Sequence, residues 1–82
     1  MVSVEFHPNF ANLLRKIKDN SLKSLVKKQI RKLIANPQAG KPMMYTRKGT
    51  RELYVPPFRL SYLYIEEEGK VLLLDLYHKD DQ

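Results

Sequence analysis

The hydrophobic period of this chain switches in mid-sequence, and that switch leaves few folds open. Between Phe10 and Ile34 apolar residues recur at helical spacing, and from Arg51 onward they alternate. Phe10, Leu13, Leu14 and Ile17 form one helical stripe, and Leu22, Leu25, Val26, Ile30, Leu33 and Ile34 form a longer one. Asp19-Asn20-Ser21 is a cluster of capping residues between them, a stop followed by a new start. Pro37 disfavours a helical residue before it, so the second helix is expected to end at Asn36. Two helices joined so tightly are predicted to be antiparallel neighbours, an αα-hairpin. Upstream, Val2 to Phe6 alternates like a half-buried strand, and His7-Pro8 ends it. Pro37 to Gly49 reads as loop. Arg51 to Val55, Phe58 to Ile65 and Lys70 to His78 then read as strands, separated by Pro56-Pro57 and by Glu66-Glu67-Glu68-Gly69. The expected fold is α+β, in the order β-α-α-β-β-β. A four-stranded, mainly antiparallel sheet would carry the αα-hairpin on one face.

Length sets the scale of that fold. Eighty-two residues make a single domain, residues 1–82. A chain this size buries only about 60–65% of its unfolded surface, so nearly every large apolar residue must face a core. With no cysteine, a disulfide framework, a thiolate zinc site, an iron–sulfur cluster and a thiol nucleophile are all excluded. His7 and His78 are the only imidazoles, so no metal site and no cofactor are expected. The longest apolar run, Val71 to Leu74, is too short for a bilayer, and no membrane partner is expected. The N-terminus lacks the pattern of a signal peptide, which points to the cytoplasm. Fifteen Lys and Arg against nine Asp and Glu leave a charge of +6. So large a surplus on so small a body favours polyanions or an acidic protein partner.

Side assignment follows from the pleat. Phe58, Leu60, Tyr62 and Tyr64 suit the face covered by the helices, which leaves Arg59, Ser61, Leu63 and Ile65 on the open face. In the last strand the all-leucine set Leu72, Leu74 and Leu76 is expected to point inward. Val71, Leu73, Tyr77 and Lys79 would then join the open face. The predicted core is Leu14, Ile17, Val26, Ile30, Leu60, Tyr62, Leu74 and Leu76. Leu63, Ile65, Val71 and Leu73 would make an exposed aliphatic patch of the kind that marks a protein partner.

Three segments resemble the RelE-type toxins of the RelE/ParE toxin–antitoxin superfamily. Pro57-Phe58-Arg59-Leu60-Ser61-Tyr62 is similar to the family's aromatic-Arg-Leu-x-Tyr strand. Val71-Leu72-Leu73-Leu74-Asp75-Leu76-Tyr77-His78-Lys79-Asp80 looks like its apolar strand ending in His-Arg/Lys-Asp. Asn36-Pro37-Gln38-Ala39-Gly40-Lys41-Pro42, with Lys48-Gly49 and Arg51, is the third. They occur in the right order at the right spacing, and the resemblance in layout covers the whole chain from the first strand to the end.

The resemblance implies a metal-independent endoribonuclease that cleaves messenger RNA on the ribosome, the message's own 2′-hydroxyl attacking the neighbouring phosphate. A proton must leave the hydroxyl, charge on the phosphate must be stabilised, and the departing 5′-oxygen must be protonated. By resemblance Arg59 falls on the shared phosphate-binding arginine and Lys79 on a second basic contact. His78 and Tyr77 are candidates for proton transfer, and Arg51 sits near a catalytic lysine position. Strict alternation turns His78 inward unless a bulge brings it round. Arg47 and Lys48 in the loop, and Lys27, Lys28 and Arg31 among the helix cations, are candidate RNA contacts. The chain departs from the family where Leu53 replaces a second lysine, where Met43 falls near a glutamate position, and where Gln82 ends the chain without the terminal tyrosine. Either Tyr77 and His78 replace those groups, or catalysis is weak or lost. The implied partners are an acidic antitoxin in a hetero-oligomer, laid across Leu63, Ile65, Val71 and Leu73, together with the ribosome and its message. Two alternatives are a superfamily member acting by binding only, such as a ParE-like gyrase inhibitor, and a general RNA- or protein-binding module.

Overall fold

The computed structural model describes residues 2–42 and 49–78. Strand β1 (Ser3–Phe6) leads into helix α1 (Pro8–Lys16), then helix α2 (Asn20–Ala35). Strands β2 (Lys41–Pro42), β3 (Thr50–Val55), β4 (Phe58–Ile65) and β5 (Lys70–His78) follow, with a 3₁₀ turn at Glu66–Glu68 before β5. The α+β order is the expected one, with one addition. The sheet has five strands in the order β1-β5-β4-β3-β2, because Lys41 and Pro42 pair with Glu52 and Arg51 at its edge. β1 runs parallel to β5, and every other pairing is antiparallel.

Local chemistry accounts for the element ends. Pro8 opens α1 at a position whose N–H is not needed, and the His7 ring caps it by accepting from the Asn9 N–H at 3.1 Å. The Asp19 carboxylate caps α2, accepting from the N–H groups of Ser21 at 2.8 Å and Leu22 at 3.3 Å. Asn36 ends α2, as Pro37 requires. Gly69 turns the chain into β5 with φ at +60°, a left-handed value that suits glycine.

α1 lies over β5 and α2 over β3, on one side of the sheet. Phe10, Val26 and Leu33 from the helices meet Leu53, Val55, Leu60, Tyr62, Val71, Leu73 and Leu76 from the strands in one buried core. Val26, Leu60, Tyr62 and Leu76 were expected there. Leu14, Ile17 and Ile30 pack against its margin.

Leu74 is a correction. A β-bulge separates two registers, since Ser61 pairs with Asp75 and Tyr62 with Leu73, which leaves Leu74 as the extra residue on β5. Alternation holds on either side but is broken across the bulge. Leu76 points inward as predicted, whereas Val71 and Leu73 are fully buried instead of Leu72 and Leu74. The aliphatic patch expected on the open face therefore loses Val71 and Leu73 and keeps Leu63 and Ile65, both half-buried there.

Candidate functional site

The two faces of the sheet treat polar groups differently. On the covered side Tyr62 is buried, and its hydroxyl donates to the Pro37 carbonyl at 2.8 Å while accepting from the Gly40 N–H at 2.8 Å. Burial pushes the Tyr62 pKa up, against the lowering effects of the Gly40 N–H and the Arg51 charge. Arg51 lies beside Tyr62 across the strands and donates from Nη1 to the carbonyls of Gly40 at 2.8 Å and Gln38 at 3.3 Å. Together they pin the segment between α2 and β2. Gly40 is required there, because a Cβ would lie 2.6 Å from the Tyr62 hydroxyl and 2.8 Å from the Glu52 carbonyl.

On the open side three chemically distinct groups converge. Glu52 is the centre, with its side chain only 11% exposed. Its Oε1 accepts from Arg59 Nη1 at 2.5 Å, and its Oε2 accepts from the Tyr77 hydroxyl. Arg59 is flanked across the strands by Tyr54 on β3 and Tyr77 on β5. Its Nε is buried and has no hydrogen-bond acceptor among the described residues. A cleft of about 470 Å³ opens beside them, lined by Ala39, Lys41, Glu52, Leu53, Tyr54 and Arg59. Tyr54 is half exposed there, a flat aromatic surface beside two cations. A guanidinium, a carboxylate and a phenol in mutual contact can bind an anion and move protons around it.

The predicted residues divide by face. Arg59 and Tyr77 meet as the pleat required. Arg51 does not join them: β3 turns it to the covered side with Leu53 and Val55, and its guanidinium is spent on backbone carbonyls. His78 pairs with Phe58, ring to ring at 5.7 Å, on the inner side of β5 away from Arg59. Lys27, Lys28 and Arg31 are exposed on α2. Lys79, Arg47 and Lys48 lie outside the described residues. Sequence reading missed Glu52, Tyr54 and Lys41. The alternation that buries Leu53 and Val55 also turns Glu52 and Tyr54 outward, so the signal for those two was present.

The profile of the ParE toxins of type II toxin–antitoxin systems matches residues 4–82. The chain belongs to this family, and it is a type II toxin of the RelE/ParE superfamily. Solved structures share the fold. The RelBE2 toxin–antitoxin complex from Mycobacterium tuberculosis contains a chain 25% identical, with a TM-score of 0.82 over 95% of this chain and 98% of that one. The intact RelBE complex of E. coli gives 0.82 at 15% identity over 95% and 96%. A YoeB/ParE toxin from Agrobacterium tumefaciens gives 0.84 at 12% identity over 94% and 98%. No curated protein sequence matches the chain significantly.

Proposed function

We propose that this toxin cleaves messenger RNA on the ribosome, with the 2′-hydroxyl of the message as nucleophile. The reading rests on the contact of Arg59, Glu52 and Tyr77 on the open face. In this scheme a phosphate takes the Arg59 guanidinium, whose buried Nε otherwise lacks an acceptor among the described residues. Glu52, released from Arg59, accepts the proton of the 2′-hydroxyl. The 2′-oxygen bonds to phosphorus and the bond to the 5′-oxygen breaks. Tyr77 protonates the departing oxygen and recovers its proton from Glu52 through their hydrogen bond. The products are a 2′,3′-cyclic phosphate and a 5′-hydroxyl. Glu52 thus fills the place that resemblance left vacant at Met43. Lys79 serves as a second phosphate contact, and Lys27, Lys28 and Arg31 face ribosomal RNA from α2. Action on ribosomes makes the cytoplasm its place of work.

An acidic antitoxin is the proposed protein partner, in keeping with the solved toxin–antitoxin complexes of the same fold. It would lie over Leu63 and Ile65, so Leu63→Asp is expected to weaken the complex. Binding without cleavage, as in ParE-like gyrase inhibition, is the second reading. It is favoured by the charge compensation between Glu52 and Arg59. Primer extension on messages translated with the purified toxin decides between them. New 5′-hydroxyl ends that vanish in Arg59→Ala support cleavage, and messages left intact by excess wild-type protein leave the binding reading in its place.

A further inference from the structure

A second depression opens on the same face, one pleat step along the strands from Arg59. It holds about 260 Å³ and is lined by His7, Thr50, Ser61, Leu74 and Asp75. Ser61 is the cross-strand neighbour of both Glu52 and Asp75, so this cleft adjoins the Glu52 cluster through the central strand. Arg59 and Ser61 are two residue steps apart along the strand, roughly 7 Å, a distance one nucleotide spans.

The cleft is built by specific features. Ser61 is the smallest residue of its strand and leaves a hollow between larger neighbours. It is 3% exposed, yet no hydrogen bond of its hydroxyl is found among the described residues. The hydroxyl is not among the sealed-off polar atoms, so a ligand in the cleft can reach it. The bulge on β5 brings Leu74 and Asp75 to line the cleft together, an apolar wall next to a carboxylate. Asp75 Oδ1 accepts from the Leu76 N–H at 2.8 Å and, over a long 3.5 Å, from Asn9 Nδ2. Its Oδ2 takes no hydrogen bond from the described residues. Asn9 also donates its backbone N–H to His7 Nδ1, which selects the tautomer with the proton on Nε2. One asparagine therefore fixes both a donor, His7 Nε2–H, and an acceptor, Asp75 Oδ2.

We infer that this cleft is a nucleobase subsite, formed by Ser61, Leu74, Asp75 and His7, that prefers a base whose Watson–Crick edge presents an exocyclic amine beside a ring acceptor, adenine or cytosine. A carboxylate repels phosphate, and one that lines a hollow beside the Arg59 site is placed to read a base edge. The amine donates to Asp75 while the ring nitrogen accepts from His7. Leu74 packs on the base, and the Ser61 hydroxyl adds a hydrogen bond from the floor of the cleft. This inference rests on the RNA reading of the neighbouring site and adds sequence preference to it.

The test is a methyl-detected NMR titration of the full chain with each of the four ribonucleoside 5′-monophosphates. AMP and CMP are expected to shift the Leu74 and Thr50 methyl resonances, UMP and GMP much less. Ser61→Ala is expected to weaken AMP and CMP about tenfold. Asp75→Asn, which puts an amide donor at the acceptor position while His7 keeps its own, is expected to weaken AMP and CMP and to abolish their preference over UMP. Shifts absent with all four nucleotides, or equal for AMP and UMP, overturn the assignment. So does an Asp75→Asn variant that stays folded with its preference unchanged. Cleavage is read apart from binding. Base-selective shifts in a protein that never cuts ribosome-bound messages keep the subsite and sink the nuclease, while cutting without base-selective shifts does the reverse.

Discussion

Arg51 and Arg59 carry the same group on neighbouring strands and do opposite work. Arg51 faces the helices and gives its hydrogen bonds to the carbonyls of Gln38 and Gly40, fixed acceptors that belong to the fold. Arg59 faces outward and holds a side-chain carboxylate, with one buried N–H still without an acceptor among the described residues. A guanidinium bound to backbone is consumed by structure. One bound to a side-chain carboxylate can be exchanged for a phosphate. The same split runs through the tyrosines: Tyr62 ties two backbone groups together on the covered side, and Tyr77 donates to Glu52 on the open side.

This contrast can be broken by experiment. The largest effect is expected for Arg59→Ala, which should lower cleavage of ribosome-bound messages by about 10²-fold or more with the circular dichroism spectrum unchanged. Next comes Gly40→Ala. Its Cβ would meet the Tyr62 ring and the Glu52 carbonyl at under 3 Å, so a loss of roughly 2–3 kcal/mol is expected in urea unfolding. Tyr62→Phe should cost about 1–3 kcal/mol, since the Gly40 N–H and Pro37 carbonyl lose their partner. Tyr62 also has a pH signature. Its pKa is raised in the fold, so above about pH 10 the unfolded chain releases the phenol proton first. The stabilisation from Tyr62 is full below that pH and is lost as pH rises through the folded value. Urea midpoints measured across this range should therefore fall more steeply for wild type than for Tyr62→Phe. The smallest effect is expected for Arg51→Ala, about 1 kcal/mol, with cleavage retained. A cleavage defect in Arg51→Ala as large as that of Arg59→Ala would erase the distinction between the two faces.

The element order and the outward pairing of Arg59 with Tyr77 were legible because period and pleat are local properties of the chain. Both helices and the three long strands obey them. The bulge at Leu74 is not local. It depends on how β5 registers against β4, and uniform leucines on both sides conceal the slip, so Val71 and Leu73 were placed on the wrong face. The two-residue strand β2 is too short to show a period. Arg51 was misplaced for a different reason. Resemblance put it near a catalytic position, while Leu53 and Val55 already required it to point inward, with Glu52 outward. Phe10 and Leu33 fell on the helical stripes yet were left out of the predicted core, because a stripe alone does not say which of its members lie deepest.

The parallel pairing of β1 with β5 bears on how the protein is born. Synthesis delivers β1 first and β5 last, and β1 finds its sheet neighbour only when β5 is out. Tyr77 lies near the end of that same strand, so the Glu52–Arg59–Tyr77 contact is also among the last to form. A nascent chain still threaded through the exit tunnel thus carries the helices and half a site. Closure of the sheet and completion of the polar cluster become one event, timed by the release of β5.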